Sequence, residues 1–282
     1  TWNSAHAECS IAALEAGKHV LCEKPMATSA GEARRMKEAA EKSGKLLMIG
    51  FVRRFGNDCA VLQDFISAGF FGELYYAKAT YLRRNGCPGG WFGEKARSGG
   101  GPLIDLGVHV IDLVRYLMGN PKPVSVYGVT YQKLKDRREL KDEKEYVAAS
   151  KTDHDIYDVE DLASAMIRFD NGAALSVETS FSLNLKEDTG NIELFGTKAG
   201  AKLSPELEIY NETNGYMTDI TLRKPTALSF DGLFEGEIDH FVDCVRNGVP
   251  CKAPAEDGIQ LMRILDAVYE SARTGHEVVL SE

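Results

Sequence analysis

The sequence predicts an α/β protein in which the end of a parallel α/β domain precedes a domain with a large, mostly antiparallel sheet. Residues 1–50 alternate helix, strand, helix and strand, and both strands are apolar throughout, which is typical of a parallel sheet covered on both faces. Residues 123–222 form successive strand-like runs without intervening helices, which indicates antiparallel pairing. The predicted domains are therefore residues 1–50 and 51–282.

The first domain is predicted from helix-capping residues and short apolar runs. Asn3 or Ser4 is the candidate N-cap of a helix that ends at Gly17. The elements that follow are a strand at 18–22, a helix at 29–42 that stops at Gly44, and a strand at 46–50.

The second domain is predicted to carry helices on both sides of its strand-rich centre. In front of the centre come a helix at 59–67, a strand at 74–81, an irregular glycine-rich segment at 85–101 and a helix at 104–118. Strands are expected at 123–133, 160–169, 173–182, 191–195 and 206–210, and a highly charged loop at 133–151. Asp170-Asn171-Gly172 predicts a hairpin between the second and third of these strands. The closing helices are 236–246 and 256–273, and the last is expected to pack back on the first domain.

The composition excludes several classes of function. The 282-residue chain has a net charge of -9, whereas a nucleic-acid surface would need clustered Lys and Arg. No run approaches the ~18 apolar residues of a membrane-spanning helix. The six cysteines are scattered without a CxxC pair, so we expect reduced thiols in a cytoplasmic protein. No residue is assigned to a metal.

The tripeptide Glu23-Lys24-Pro25 directly follows the predicted strand at 18–22. Ligands of open parallel sheets bind outside the carboxyl ends of the strands, so Lys24 would face the functional crevice. A solvated loop charge is the alternative interpretation of the same lysine. Pro25 restricts the local backbone and would help to hold the lysine in position.

A second cluster of polar residues follows the three glycines at 99–101. Asp105 and His109 are spaced i and i+4 on the predicted helix, which places them on one face, and Asp112 can join them. Three interpretations are open: a capping carboxylate beside a structural histidine, a metal site, or acid–base chemistry by His109. The metal site is the weakest, because the segment offers no cysteine and no further well-spaced histidine.

Together these segments resemble a known family of enzymes. Residues 17–25 and 99–112 closely resemble the two signature segments of the Gfo/Idh/MocA family of sugar and cyclitol oxidoreductases. Supporting matches are Thr1-x-Asn3-x-x-His6, the run Gly50-Phe51-Val52-Arg53-Arg54-Phe55, and Val159-Glu160-Asp161-Leu162-Ala163 ahead of Asn171-Gly172. The resemblance extends in order from Thr1 to the final predicted helix.

The resemblance implies a fold, a reaction and an assembly. The fold would be the C-terminal part of a Rossmann dinucleotide-binding domain followed by an α+β domain with a large, mostly antiparallel open sheet. The cofactor would be NAD or NADP. The reaction would be hydride transfer between nicotinamide and a secondary alcohol of a sugar, inositol or related polyol. Since the family's open sheet is a subunit contact surface, a homodimer or homotetramer is expected.

The resemblance also implies roles for individual residues. His109 matches the family's general acid/base, Lys24 its assisting lysine, and Asp105 a carboxylate that binds substrate or supports the histidine. Arg53 and Trp91 are weaker substrate-pocket candidates, with a surface charge and a core aromatic as their alternative interpretations. The residues that fall where the family lines the dinucleotide cleft are Asn3, His6, Glu23, Lys24 and Pro25.

The sequence departs from the family at its start. A Gly-x-Gly-x-x-Gly fingerprint between a strand and a helix is expected ahead of Thr1. The expected segment corresponds to about two βαβ steps of ~30 residues each. Three explanations are open: the sequence is part of a longer parent protein, it is a truncated fragment, or a partner chain supplies the segment. Two alternative functions follow: a non-catalytic oligomerisation or regulatory fragment unable to bind cofactor, and redox-assisted, glycosidase-like cleavage.

Overall fold

The computed structural model describes residues 1–137, 146–223, 226, 229 and 231–281 of the chain. These residues form a two-stranded parallel sheet followed by a nine-stranded sheet, with helices packed against both. Part of the predicted charged loop, at 138–145, lies outside the described residues.

The helices and strands follow the predicted order. The helices are α1 (His6–Glu15), α2 (Ala30–Ser43), α3 (Asn57–Ser67), α4 (Lys95–Ser98), α5 (Val108–Leu117), α6 (Leu233–Asn247) and α7 (Ala255–Thr274). The strands are β1 (Val20–Glu23), β2 (Leu47–Gly50), β3 (Leu74–Leu82), β4 (Pro123–Tyr131), β5 (Leu162–Phe169), β6 (Ala174–Ser180), β7 (Thr189–Gly196), β8 (Ala199–Lys202), β9 (Glu208–Thr213), β10 (Tyr216–Ile220) and β11 (Val278–Val279).

Helix boundaries in the first domain follow local signals with one exception. The Ser29 side chain caps α2, and Gly44 ends it in the left-handed conformation at φ 65°. The predicted cap of the first helix is wrong, because α1 has no side-chain cap and begins only at His6, after a 3₁₀ turn. The Asn3 amide instead donates to the carbonyl of Ser98 at 2.8 Å. A tertiary hydrogen bond has replaced the local one.

The first sheet consists of β1 and β2 side by side in parallel, as predicted. Val20 lies opposite Leu47 and Glu23 opposite Gly50. All four residues of β2 are buried, which explains why this strand is apolar throughout. Both strands end at the same edge, so the residues that follow β1 and β2 lie close together.

The second sheet has the strand order β10-β9-β8-β7-β3-β6-β5-β4-β11. Its β3–β6 pair is parallel and its other pairs are antiparallel, which confirms the predicted mostly antiparallel sheet. The predicted hairpin joins β5 and β6, with Gly172 at φ 85°. The strands β8, β10 and β11 were not predicted. The first is an Ala-Gly-Ala-Lys run without β-branched residues, and the last has only two residues.

Helices α5 and α7 cover the inner face of the large sheet, and their buried aliphatic side chains form the main core. Gly128 on β4 allows the close approach of α7, since a Cβ there would lie 2.8 Å from the side chain of Val268. On its other side α7 contacts α2, where the Asp266 carboxylate accepts a hydrogen bond from the Ala30 amide at 2.8 Å. One helix therefore contacts both predicted domains.

Arg54 forms a buried ion-pair network between the two sheets. Its Nη2 lies 2.6 Å from Asp112 Oδ1, its Nη1 lies 2.7 Å from Asp257 Oδ2, and it also donates to the carbonyl of Lys252. The expectation that Asp112 joins Asp105 and His109 is therefore wrong. The physical reason is that a buried guanidinium requires compensating carboxylates, and Asp112 supplies one of them.

The Arg54 network gives a testable stability prediction. Replacing Arg54 by Met leaves two buried carboxylates without their partner and should lower the free energy of unfolding by about 3–5 kcal/mol. The matched control is Lys37→Met, which removes an exposed pair with Glu256 and should cost less than about 1 kcal/mol. Urea unfolding followed by circular dichroism measures both, and equal losses would contradict the assignment.

Candidate active site

Lys24 lies at the end of β1 and reaches across to the second domain. Its Nζ donates to the Asp105 carboxylate at 3.0 Å and to the Asp105 carbonyl at 2.9 Å. Both side chains are 17% exposed, so the pair is largely shielded from solvent. The Lys24–Pro25 peptide bond is cis. Since an ammonium group has three donors and only Asp105 accepts from it among the described residues, one N–H of Lys24 is left for a ligand.

Asp105 lies in a π turn, Leu103–Gly107, that precedes α5. The prediction of an α-helix from residue 104 is therefore wrong in its first turn. The Asp105 carboxylate in this turn binds Lys24. Single π turns inside helices occur frequently at functional sites.

The glycine run at 99–101 allows a buried carboxylate to bind the start of this turn. Glu160 accepts hydrogen bonds from the amides of Gly101 and Leu103 and from the Tyr269 hydroxyl. A Cβ on Gly100 would lie 2.0 Å from that hydroxyl, and one on Gly101 2.5 Å from the Glu160 carbonyl. The glycines are thus needed for close packing, and Glu160 positions the segment that carries Asp105.

His109 is the second residue of α5 and is half-buried. Burial lowers its pKa well below the ordinary 6.5, and the positive charges of Lys24, Arg53 and Arg83 lower the pKa further. Among the described residues, none forms a hydrogen bond to its ring. The imidazole is therefore neutral at neutral pH and available to a ligand.

Two arginines contribute to the positive potential at His109. Arg53 is not a surface charge: its side chain is 17% exposed and its Nη2 lies 3.3 Å from the buried Asp58 carboxylate. Its buried Nε has no hydrogen-bond partner within the described part of the chain. Arg83 follows β3 and was not predicted, because nothing in its local sequence distinguishes it from a surface arginine.

The other predicted site residues occupy different places. The Nδ1 atom of His6 lies 2.8 Å from the Pro25 carbonyl, so this ring and the Asn3 amide hold the loops on either side of Lys24. Glu23 is exposed at the end of β1. Trp91 is half-buried and stacks on Phe92 with ring centroids 4.1 Å apart.

Glu237 on α6 was missed by the sequence reasoning. It is 3% exposed, and its Oε1 has no hydrogen-bond partner among the residues described. Burial raises its pKa to about 7, with a further contribution from the negative charge of Glu23. A buried, unsatisfied acceptor beside Glu23 suits a ligand that supplies a donor such as a hydroxyl group.

Two cavities adjoin this region. One of about 300 Å³ lies beside β1 and is lined by His6 and Glu23 among others. A larger one of about 900 Å³ lies beyond the end of β3, where Cys87 and Tyr157 contribute to its wall. Neither is lined by Lys24, Asp105 or His109, so we locate the candidate site by its side chains and not by cavity size.

Comparison with known proteins identifies the family. The sequence model for the NAD-binding Rossmann fold of the Gfo/Idh/MocA oxidoreductase family matches residues 1–51, and the model for its C-terminal alpha/beta domain matches residues 63–280. The chain belongs to the Gfo/Idh/MocA oxidoreductase family. The predicted family, fold class, oxidoreductase class and nicotinamide dinucleotide cofactor are thereby confirmed.

Individual members of the family are similar over almost the whole chain. The D-glucoside 3-dehydrogenase of Escherichia coli (strain K12) is 38% identical over 280 residues, covering 99% of this chain and 77% of that protein. The NAD⁺-dependent scyllo-inositol 2-dehydrogenase of Bacillus subtilis (strain 168) is 30% identical over 283 residues, covering 99% and 76%. The structure of levoglucosan dehydrogenase in complex with NADH superposes with a TM-score of 0.84 at 27% identity, covering 100% of this chain and 78% of that one.

The residues at the end of β1 lie at the edge of the parallel sheet where a dinucleotide would bind. Dinucleotides bind outside the carboxyl ends of parallel strands, where Glu23 and Lys24 lie. The unsatisfied carboxylate oxygen of Glu237 adds an acceptor on the same side.

The described part of the chain contains no helix with the length and apolar character of a membrane span.

The electrostatics of His109 can be measured directly. NMR titration of the six histidines should give His109 a pKa below 6.5, and Arg83→Met should raise it because one neighbouring positive charge is lost. The exposed neighbour Arg84 provides the matched control, and Arg84→Met should leave the value unchanged. A His109 pKa above 6.5 in the unaltered protein would contradict this account.

Proposed function

We propose that the protein is an NAD(P)-dependent dehydrogenase that oxidises a secondary alcohol of a sugar, a cyclitol or a related polyol. The observation that carries the proposal is the convergence of an anchored ammonium group and a neutral imidazole. Lys24 is held by Asp105, and its positive charge lowers the pKa of His109. A base and a cation side by side suit the removal of a proton from a hydroxyl group.

His109 is the proposed general base. As the alcohol is oxidised, its hydroxyl proton passes to the neutral imidazole of His109. A bound nicotinamide would supply the hydride acceptor for the carbon that carries this hydroxyl. The positive charges around the ring lower the pKa of the resulting imidazolium, so it readily gives up its proton. After oxidation the proton passes to solvent, and in the reverse reaction it passes to the carbonyl oxygen of the substrate. Because the active form is neutral, kcat/KM for oxidation should fall as the pH drops through the His109 pKa, below 6.5.

Lys24 is the proposed stabiliser of the developing alkoxide. Two of its three donors are held by Asp105, which leaves the third for the substrate oxygen. Preorganised donors of this kind cost no reorganisation during the reaction. Asp105 then acts as a positioning residue for Lys24, and Arg53 is a candidate for binding a neighbouring substrate hydroxyl.

The relatives favour a sugar or cyclitol substrate. Their names include a D-glucoside 3-dehydrogenase, scyllo-inositol 2-dehydrogenases and a levoglucosan dehydrogenase, all of which act on ring compounds rich in secondary hydroxyls. The charged residues around His109 offer both hydrogen-bond donors and acceptors to the hydroxyl groups of such a ring. The names of the relatives include both NAD⁺- and NADP⁺-dependent enzymes, and the proposed cofactor is NAD or NADP.

We further propose a cytoplasmic homodimer or homotetramer that assembles through the outer face of the large sheet. Tyr127 on β4 is exposed and lies directly opposite the exposed Met166 on β5, with Tyr131 further along the same face. Exposed apolar side chains in a row are typical of a protein interface.

A redox-neutral variant of the same chemistry remains the second candidate within the family. In that case oxidation of a ring hydroxyl would assist cleavage of a bond and the cofactor would be regenerated in each turnover. Net NADH or NADPH formation in the presence of glucosides and inositols supports the dehydrogenase, whereas cleavage products without net reduction support the alternative.

Substitutions of His109 and Lys24 should both reduce turnover, each by removing a different catalytic contribution. We expect His109→Ala to lower kcat by about 10²–10⁴-fold through loss of the base. Lys24→Met should lower it by about 10²–10³-fold through loss of alkoxide stabilisation. Absorbance of the reduced nicotinamide, with NAD⁺ and NADP⁺ and a panel of glucosides and inositols, gives the rates.

The control for these variants is His276→Asn, at an exposed histidine near the C-terminus. Its activity should equal that of the unaltered protein. Turnover that survives both His109→Ala and Lys24→Met would remove the basis of the proposed mechanism, and would favour a non-catalytic or different role for this region.

A further inference from the structure

Three side chains meet around the C-terminal half of α6 and the loop that follows it. His240 and Cys244 lie one turn apart on this helix, and Cys251 follows in the loop between α6 and α7. One ligand atom from each residue lies within 4.8 Å of those of the other two, and all three side chains are half-buried. The two cysteines are free thiols.

The loop that carries Cys251 is fixed by buried contacts. The carbonyl of Ala253 accepts a hydrogen bond from the Ile49 amide at 2.9 Å, and the carbonyl of Lys252 accepts one from Arg54. On the helix side, the His240 ring packs against Phe55 with ring centroids 5.5 Å apart. The three ligand positions are therefore preformed by the fold.

The atom types and the one measured ligand–ligand distance match those of a soft metal site. The His240 Nε2 and Cys244 Sγ atoms are 3.4 Å apart. Tetrahedral zinc, with Zn–N of about 2.0–2.1 Å and Zn–S of about 2.3 Å, requires an N–S separation of roughly 3.5 Å. Two sulfurs and one imidazole nitrogen favour Zn²⁺ or another thiophilic ion over Mg²⁺ or Ca²⁺, which prefer oxygen ligands.

We propose that His240, Cys244 and Cys251 form a binding site for a thiophilic cation, Zn²⁺ in the first instance. Three protein ligands leave the fourth position of the tetrahedron to a water molecule. Binding converts both thiols into thiolates and releases their two protons to solvent.

The surroundings of the histidine are compatible with this role. The Nε2 atom of His240 lies next to Cys244 Sγ and is the ligand atom of the ring. The Lys252 amide now donates to the same Nε2 at 2.9 Å. Since Lys252 is exposed, this amide can bond to water once the nitrogen binds a metal.

The site would act on structure and not on the hydride-transfer chemistry. A bound cation would fasten the end of α6 to the 248–254 loop. Through Lys252 that loop contacts Arg54, which lies next to Arg53 in the 3₁₀ turn Val52–Phe55. We therefore expect the cation to raise the thermal stability of the protein.

Titration of the reduced, metal-free full chain with Co²⁺ as a spectroscopic probe tests the proposal. We expect one equivalent to bind with thiolate-to-cobalt charge-transfer absorption and the visible bands of tetrahedral cobalt, and Zn²⁺ to displace it. The variants Cys244→Ser, Cys251→Ser and His240→Gln should each weaken binding by more than the roughly 10–100-fold caused by losing an outer hydrogen-bond partner. Cys9→Ser, at an exposed cysteine elsewhere, is the matched control and should bind normally.

A second measurement covers variants that fold poorly. Zn²⁺ should raise the Tm of the unaltered chain and of Cys9→Ser, but not that of serine variants whose circular dichroism spectra are native. The proposal is overturned if the unaltered chain shows no charge-transfer band, or if the band persists undiminished in both serine variants. It is also overturned if Cys244 and Cys251 are found joined as a disulfide that resists reduction and excludes the metal.

Discussion

The ion pair between Lys24 and Asp105 is the contact on which the candidate site depends. It joins the end of the first parallel strand to the turn that begins α5, and its Nζ–Oδ1 distance is 3.0 Å. The pair fixes two of the three donors of the lysine and leaves the third for a ligand. It also holds a positive charge where it lowers the pKa of His109. Without this contact, the lysine would be a mobile loop charge.

The rest of the fold supports this contact from both sides. On the first domain, His6 and Asn3 hold the loops beside Lys24. On the second, the buried Glu160 binds the amides at the start of the π turn, where glycines permit its close approach. The fold therefore supplies a rigid frame, which is what electrostatic preorganisation requires.

The parts of the structure that depend on local signals were predictable from the sequence, whereas those that depend on tertiary contacts were not. The Ser29 cap, the Gly44 stop and the Asn171-Gly172 hairpin each result from a local conformational preference, and each is present. Lys24 was singled out by its place after an apolar strand and His109 by its spacing from Asp105, and the family resemblance then assigned their roles. Arg83 and Glu237 could not be found in this way. The effect of Arg83 on the pKa of His109 and the raised pKa of Glu237 both depend on residues that are distant in the sequence. Cys244 and Cys251 were not grouped with His240 either, because their spacing contains no CxxC pair.

A double-mutant cycle on kcat/KM for Lys24→Met and Asp105→Asn tests the central claim most directly. If Asp105 acts by positioning the Lys24 ammonium, it has little left to do once that ammonium is gone. The double variant should then lose no more activity than Lys24→Met alone. Losses that simply add, with Asp105→Asn lowering kcat/KM equally in the presence and absence of Lys24, would contradict the account, because the two residues would then act independently.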